Sequence, residues 1–180
     1  MFSTDERDIV LRVRQGDRDA FAEIVRRHQQ AVFNTAYRLL GNVHDSEDAA
    51  QETFIRAFQF FDKFDAGRPL APWLKRIAVN VCINRIEAVK SASSLDDESA
   101  PAPDPNPDPE ALTVNRARDE RIRTELSQLP PRYRIVIELR HFQELSYEEI
   151  AAELKRPLSD VKSALFRARK LLAERLKDLT

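Results

Sequence analysis

Glycine is scarce in this sequence, cysteine occurs once and long apolar runs are missing, and each shortage excludes something. Three glycines in 180 residues leave few positions for left-handed turns, and abundant Ala, Leu, Glu and Arg favour helix over sheet. The lone Cys82 has no partner for an internal disulfide, which fits a reducing cytoplasm, and it reads as a small buried apolar residue. Three scattered histidines add no ligand set, so neither zinc nor any other cofactor is expected. No apolar stretch reaches about 18 residues and none follows a basic N-terminus, so no membrane insertion and no secretory signal are expected. A glycine-rich phosphate loop and a nucleophile beside a base are also missing, which leaves an enzyme with a small-molecule substrate little support. What is present is a soluble globular composition, 42% hydrophobic and 33% charged.

The net charge of −1 hides a strong segregation. Residues 1–90 carry 14 basic and 13 acidic groups, residues 91–112 carry six acids and no base, and residues 113–180 carry 15 basic against 11 acidic groups. The middle segment, SASSLDDESAPAPDPNPDPEAL, also holds five of the ten prolines and no aromatic residue. Proline removes backbone donors and favours extended chain, so residues 91–112 read as an acidic, semi-extended linker. The expected fold is therefore all-α, two small helical domains over 1–90 and 113–180 joined by that linker.

In the first domain, Phe21, Val25, His28, Val32, Ala36 and Leu39 recur every three or four residues, and Gly41 stands where a helix would end. His28 reads as a histidine at the edge of the core. The segment DSEDAAQETFIRAFQFFDKF opens with Asp45, Glu47 and Asp48, acids suited to the positive end of a helix. Phe54, Ala57, Phe58 and Phe61 form its expected buried stripe, leaving Asp48, Gln51, Glu52 and Arg56 outside. That outer face is compatible with plain solvated surface and with a docking site. After the loop KFDAGRPLA, Pro72 suits the first turn of a helix whose inner side is Trp73, Ile77 and Val81. Lys75, Arg76, Asn80, Asn84 and Arg85 fall on other faces. Phe61, Phe64 and Trp73 beside Lys63, Arg68 and Arg76 supply rings and cations together, the mixture that single-stranded nucleic acid requires, although a core anchor explains the tryptophan equally well.

The second domain opens with an expected helix over 113–128, closed at Leu129, Pro130 and Pro131. Tyr133, Val136, Ile137 and Leu139 are the apolar set of the next helix. Ser146 and Glu149 match the S-x-x-E capping box, and Ile150, Ala151 and Leu154 turn inward. Pro157 ends that helix and Ser159 is expected to cap the following one, with Val161, Leu165 and Ala168 inside. Lys162, Ser163, Phe166, Arg167, Arg169 and Lys170 then occupy the outer surface, as a helix that meets phosphates and base edges in a major groove would need.

At this point a resemblance becomes specific. SYEEIAAELKRPLSDVKSALFRARKLL resembles the region 4 helix-turn-helix of bacterial sigma factors, and LSQLPPRYRIVIELRHFQELS resembles the segment before it. DSEDAAQETFIRAF is similar to region 2.2, and WLKRIAVNVCINRI to regions 2.3 and 2.4. Their order, with only a linker between, points to the extracytoplasmic function (ECF) subgroup of the sigma-70 family, of the sigma-E type, across most of residues 5–176.

The resemblance implies a non-enzymatic subunit that binds core RNA polymerase and directs promoter-specific initiation. It implies contacts from Asp48, Gln51, Glu52, Phe54 and Arg56 to the β′ clamp helices. Lys63, Phe64, Arg68, Trp73, Arg76, Asn80 and Asn84 would serve the melted minus-10 element, with a flipped base taken by the loop Phe64 to Ala71. Ser159, Lys162, Ser163, Phe166, Arg167 and Arg169 would serve the double-stranded minus-35 element. The apolar side of region 4 would seat on the β flap, the linker would run toward the RNA exit path, and an anti-sigma factor is the implied regulator. Leu70 and Lys75 stand where rings are common in the family, Lys155 where Gly or Asn is common, Asp160 where Thr is common and Ala164 where Arg is usual. The competing reading is a stand-alone helix-turn-helix repressor that binds operators as a dimer, without polymerase.

Overall fold

The computed structural model describes residues 4–92 and 114–177, and every regular element among them is helical. In order these are α1 (Thr4–Arg14), α2 (Arg18–Leu40), α3 (Val43–Gln59), α4 (Leu70–Ala92), α5 (Val114–Ser127), α6 (Pro131–Ile137), α7 (Tyr147–Leu154) and α8 (Leu158–Arg175). A 3-10 turn at Phe61–Lys63 and a π turn at Glu138–Phe142 interrupt the series.

Local chemistry sets the boundaries. Asp17 caps α2 by accepting from the Ala20 amide at 3.1 Å. Gly41 ends it at φ 79°, a left-handed angle, with its N–H on the Tyr37 carbonyl. The next cap is Asn42, whose side chain accepts from the Asp45 amide at 2.8 Å. Helix α3 therefore starts ahead of the acids expected to open it, and Asp45 falls in its first turn.

Helices α1 to α4 enclose a core of Ile9, Ile24, Val32, Phe54, Ala57, Phe61, Phe64, Leu70, Leu74 and Ala78. Each such large side chain contributes roughly 1.5–3 kcal/mol by leaving water. In the second group α6 packs on α8 and α7 crosses α8, with Val136, Leu139, Ile150, Val161, Leu165 and Ala168 between them.

The sequence implies two bodies on a spacer, but the structure seats them against each other. Leu39, Val79, Val81 and Cys82 from α2 and α4 share one apolar cluster with Leu126, Tyr133 and Val136 from α5 and α6 and Leu129 from the turn between them. At its margin Arg38 makes a two-pronged pair with Glu138 at 2.6 and 2.9 Å, and its guanidinium lies 4.0 Å from the Phe142 ring centre. Glu138 is 1% exposed, so the pair is one that breaking, not making, renders energetically important. Arg134 is also buried and donates to the Ser127 carbonyl at 3.2 Å, but its Nε has no partner. It lies by Gly41, near the negative end of α2, and burial pulls its pKa down. Of the expected linker 91–112, residues 91 and 92 continue α4, and the remainder lies outside the described residues.

Candidate nucleic-acid and docking faces

The second helix of the helix-turn-helix, α8, is two-sided. Val161, Leu165 and Ala168 are buried, while Ser159, Lys162, Ser163, Phe166, Arg167, Arg169 and Lys170 are exposed. Phe166 is 70% exposed, an unusual cost for a phenyl ring unless a partner covers it. Two features aim the helix. Ser146 and Glu149 form the full reciprocal capping box of α7, and the Ser146 amide holds the Glu149 carboxyl below its ordinary pKa. Lys155 then turns the chain at φ 51° and ψ 44°. Ser159 does not cap α8 as expected: the helix begins one residue after Pro157, which places Ser159 in its first turn among the exposed side chains.

On α3, Asp48, Gln51, Glu52 and Arg56 do lie at the surface, but Phe54 does not. Phe54 is 8% exposed inside the first core, so direct contact with a partner is replaced by support of the helix. The apolar members of this face are Ile55, 58% exposed, and Phe58, 48% exposed. The sequence reading missed Ile55 and placed Phe58 in the core. The signal was available: Asp48, Gln51, Ile55 and Phe58 follow one another at three or four residues, a second stripe beside the buried one. Glu52 bridges Arg85 at 3.0 Å and Arg56 at 2.6 Å, and the Arg85 hydrogen bond leads in lowering its pKa.

Around the loop between α3 and α4 the aromatic residues are largely structural. Phe64 is 3% exposed and lies 4.8 Å from Trp73 and 5.9 Å from Phe61, ring centre to ring centre. Its carbonyl accepts a hydrogen bond from Arg14. Phe64 is therefore unavailable for stacking on a base, because the chain needs it to close the first core, and half-buried Trp73 props the loop from below. The exposed ring that remains is Phe60, 48% exposed, with the Lys63 ammonium 5.0 Å from its centre. Lys63 and Arg68 are exposed, the latter 3.5 Å from Asp65.

Further along α4, Arg76 donates to Glu153 of α7 at 3.0 and 2.5 Å. The pair holds the Glu153 carboxyl below its ordinary range, with a smaller share from Asn80. A groove of about 480 Å³ opens beside it, lined by Asn80 and Asn84 from one helical group and by Glu153, Lys155 and Arg156 from the other. The minus-10 candidates Arg76 and Asn80 are thus engaged by α7 of the second helical group.

No set of three or more His, Cys, Asp or Glu among the described residues could hold a metal. Cys82 is fully buried and its thiol is pushed up to about 12, chiefly by burial, which makes it a poor nucleophile. No helix among the described residues is long and apolar enough to cross a membrane.

A helix-turn-helix with an uncovered cationic strip, coupled to a second helical unit that carries a basic loop and an acidic-apolar face, defines a DNA-binding transcription factor with a further protein to bind. Comparison with known proteins makes it particular. The sigma-70 region 2 model matches residues 24–92 and the sigma-70 region 4 model matches residues 119–172. The ECF sigma factor SigW of Bacillus subtilis is 38% identical over 94% of this chain and 96% of its own. The ECF sigma-E factor of Escherichia coli K12 is 33% identical over 95% and 94%. Among solved structures, CnrH in complex with the cytosolic domain of CnrY matches with a TM-score of 0.59 and 25% identity, over 98% of this chain and 99% of that one. The sigma factor RpoE of Bartonella quintana, solved with the anti-sigma factor NepR, shares the fold at a TM-score of 0.60 and 24% identity, over 87% and 96%. The chain belongs to the extracytoplasmic function sigma factors of the sigma-70 family. It is an RNA polymerase subunit for promoter-specific initiation, and not a stand-alone repressor.

Proposed function

We propose that the three faces divide the work of a sigma factor. The α3 stripe of Asp48, Gln51, Ile55 and Phe58, flanked by Glu52 and Arg56, docks on the β′ clamp helices of core polymerase. Lys63 and Arg68 of the loop, with Arg76, Asn80 and Asn84 of α4, hold the unpaired minus-10 strand, and Phe54, Phe64 and Trp73 keep that surface in shape. The α8 strip of Ser159, Lys162, Ser163, Phe166, Arg167 and Arg169 meets the minus-35 duplex, and the apolar side of region 4 seats on the β flap.

The observation that carries this reading is the α8 strip, a 70%-exposed phenyl among cations on the second helix of a helix-turn-helix. The same proposal divides the chain into 1–90, 91–112 and 113–180 and gives it a non-catalytic role in the cytoplasm. The two solved neighbours were each captured with a partner chain, which supports an anti-sigma factor as regulator here as well.

Run-off transcription from the protein's own upstream region tests the assignment. Core polymerase plus this chain should give a discrete transcript that core alone does not; no transcript, with core activity verified on another template, refutes it. Within that assay Arg167→Ala should reduce the transcript and leave association with core unchanged.

A further inference from the structure

A second group of side chains lies at the edge of the α8 strip. Arg169 follows Lys162 and Phe166 at the same helical spacing, and its guanidinium reaches back across two other elements. Its Nε lies 3.4 Å from His141 Nε2 in the π turn, and its Nη1 lies 3.3 Å from the Tyr147 hydroxyl at the start of α7. Arg140 stands over the Tyr147 ring, 5.2 Å from its centre. His141 and Arg169 are both exposed.

This grouping lacks a carboxylate. Among the described residues Arg169 has only neutral partners at hydrogen-bonding range, and neither Glu144 nor Glu148 pairs with it. The other acids nearby are committed, Glu138 to Arg38 and Glu149 to the Ser146 amide. On α2 and α6 the charged groups that border the π turn are Arg38 and buried Arg134, which line one small pocket with Glu138 and Phe142. Nε2 of His141 can accept from the guanidinium only while it carries no proton, so the neutral imidazole is the form that suits this contact. Burial, then Arg169 and Arg140, hold the histidine below its ordinary pKa.

In helix-turn-helix docking the first helix crosses the DNA backbone while the second enters the groove. Tyr147 begins that first helix, so Arg169 and its two partners stand where a phosphate would pass. We propose that Arg169, His141 and Tyr147 form a seat for one backbone phosphate beside the minus-35 element, and that His141 completes it by taking a proton from solvent. This rests on the sigma-factor reading above. A phosphate oxygen accepts from the guanidinium, from the tyrosine hydroxyl and from the new imidazolium N–H, and it also relieves the repulsion between the two cations.

The sign follows from linkage. DNA-bound protein holds one more proton than free protein, so affinity rises as pH falls from the pKa of the complex toward the depressed pKa of the free form. The test uses holoenzyme assembled with the full chain and its closed promoter duplex, at low temperature. Wild type should bind about threefold to tenfold more tightly at pH 6 than at pH 8, well inside the roughly hundredfold ceiling that one linked proton sets over two pH units. His141→Gln should abolish that gain and match wild type at pH 8. At pH 6 both His141→Gln and Arg169→Ala should lower the slope of log affinity against log salt by about one. Retained binding with the same pH response and salt slope in wild type and His141→Gln overturns the seat alone. No promoter binding by wild-type holoenzyme at either pH overturns the sigma-factor reading and the seat with it.

Discussion

Lys155 occupies a backbone conformation that side-chained residues avoid, φ 51° and ψ 44°, in the turn between α7 and α8. The left-handed region costs an L-residue about 1–2 kcal/mol, and glycine recovers most of that while giving back some unfolded-state entropy. Lys155→Gly should therefore raise stability by about 0.5–1 kcal/mol, read as a higher urea midpoint at unchanged slope. The same scale explains Cys82. With the thiol pushed up to about 12 and no exposed surface, the thiolate is scarce at neutral pH and out of reach. Native protein should react with a disulfide reagent at pH 8 only as fast as it opens, and denaturant should make the reaction immediate. Rapid labelling of folded protein would contradict the burial.

At the scale of the helix, α3 carries large apolar side chains on two stripes, one of which is core. Phe54 and Ala57 are interior, and Ile55 and Phe58 are exterior, although all four are apolar. Phe54→Ala should remove about 3–4 kcal/mol of stability, as a buried phenyl does, and lower the thermal midpoint. Ile55→Arg should change stability by no more than about 0.5 kcal/mol, as exposed positions do, yet weaken association with core polymerase in a pull-down. Only the pair of results together separates core from docking face.

These helices also mark how far the sequence could be read. Two of the caps were legible because their chemistry is local, Gly41 and the Ser146–Glu149 box, whereas Ser159, expected to cap α8, lies inside its first turn. Periodicity identified α8 and its strip because one face there is plainly charged. It failed on α3, where Ile55 and Phe58 add apolar groups to an otherwise polar outer face, and on Phe64, whose ring packs inward against Trp73 and Phe61. Arg134 and Glu138 were invisible for another reason. A buried charge is decided by its partner, and Arg38 lies 100 positions away in the chain.

At the scale of the molecule, the closed arrangement and promoter recognition are incompatible. The minus-35 and minus-10 elements lie roughly 25 base pairs apart, about 85 Å of duplex at 3.4 Å per step. A compact chain of this length has a radius of gyration of about 16 Å, so it is only some 40 Å across. One closed molecule cannot touch both elements, and Glu153 occupies Arg76 and Asn80 while it remains closed. Core polymerase must therefore separate the halves, exposing the apolar seam of Leu39, Val79, Leu129 and Tyr133 and offering it other surfaces. The latch is electrostatic at two points, Arg38 with Glu138 inside and Arg76 with Glu153 outside. Removing the carboxylate of the inner pair leaves the Arg38 charge uncompensated in a seam that also holds buried Arg134, which is far more damaging than losing a surface pair. A Glu138→Gln, Glu153→Gln double variant should open the free protein, raising the radius of gyration in small-angle scattering toward that of two bodies on a tether. Its helix content should be unchanged, because both residues act between the halves, and it should associate with core polymerase faster than wild type. An unchanged radius with slower association would mean that the seam is held by its apolar contacts alone and that the ion pairs serve only to set its register.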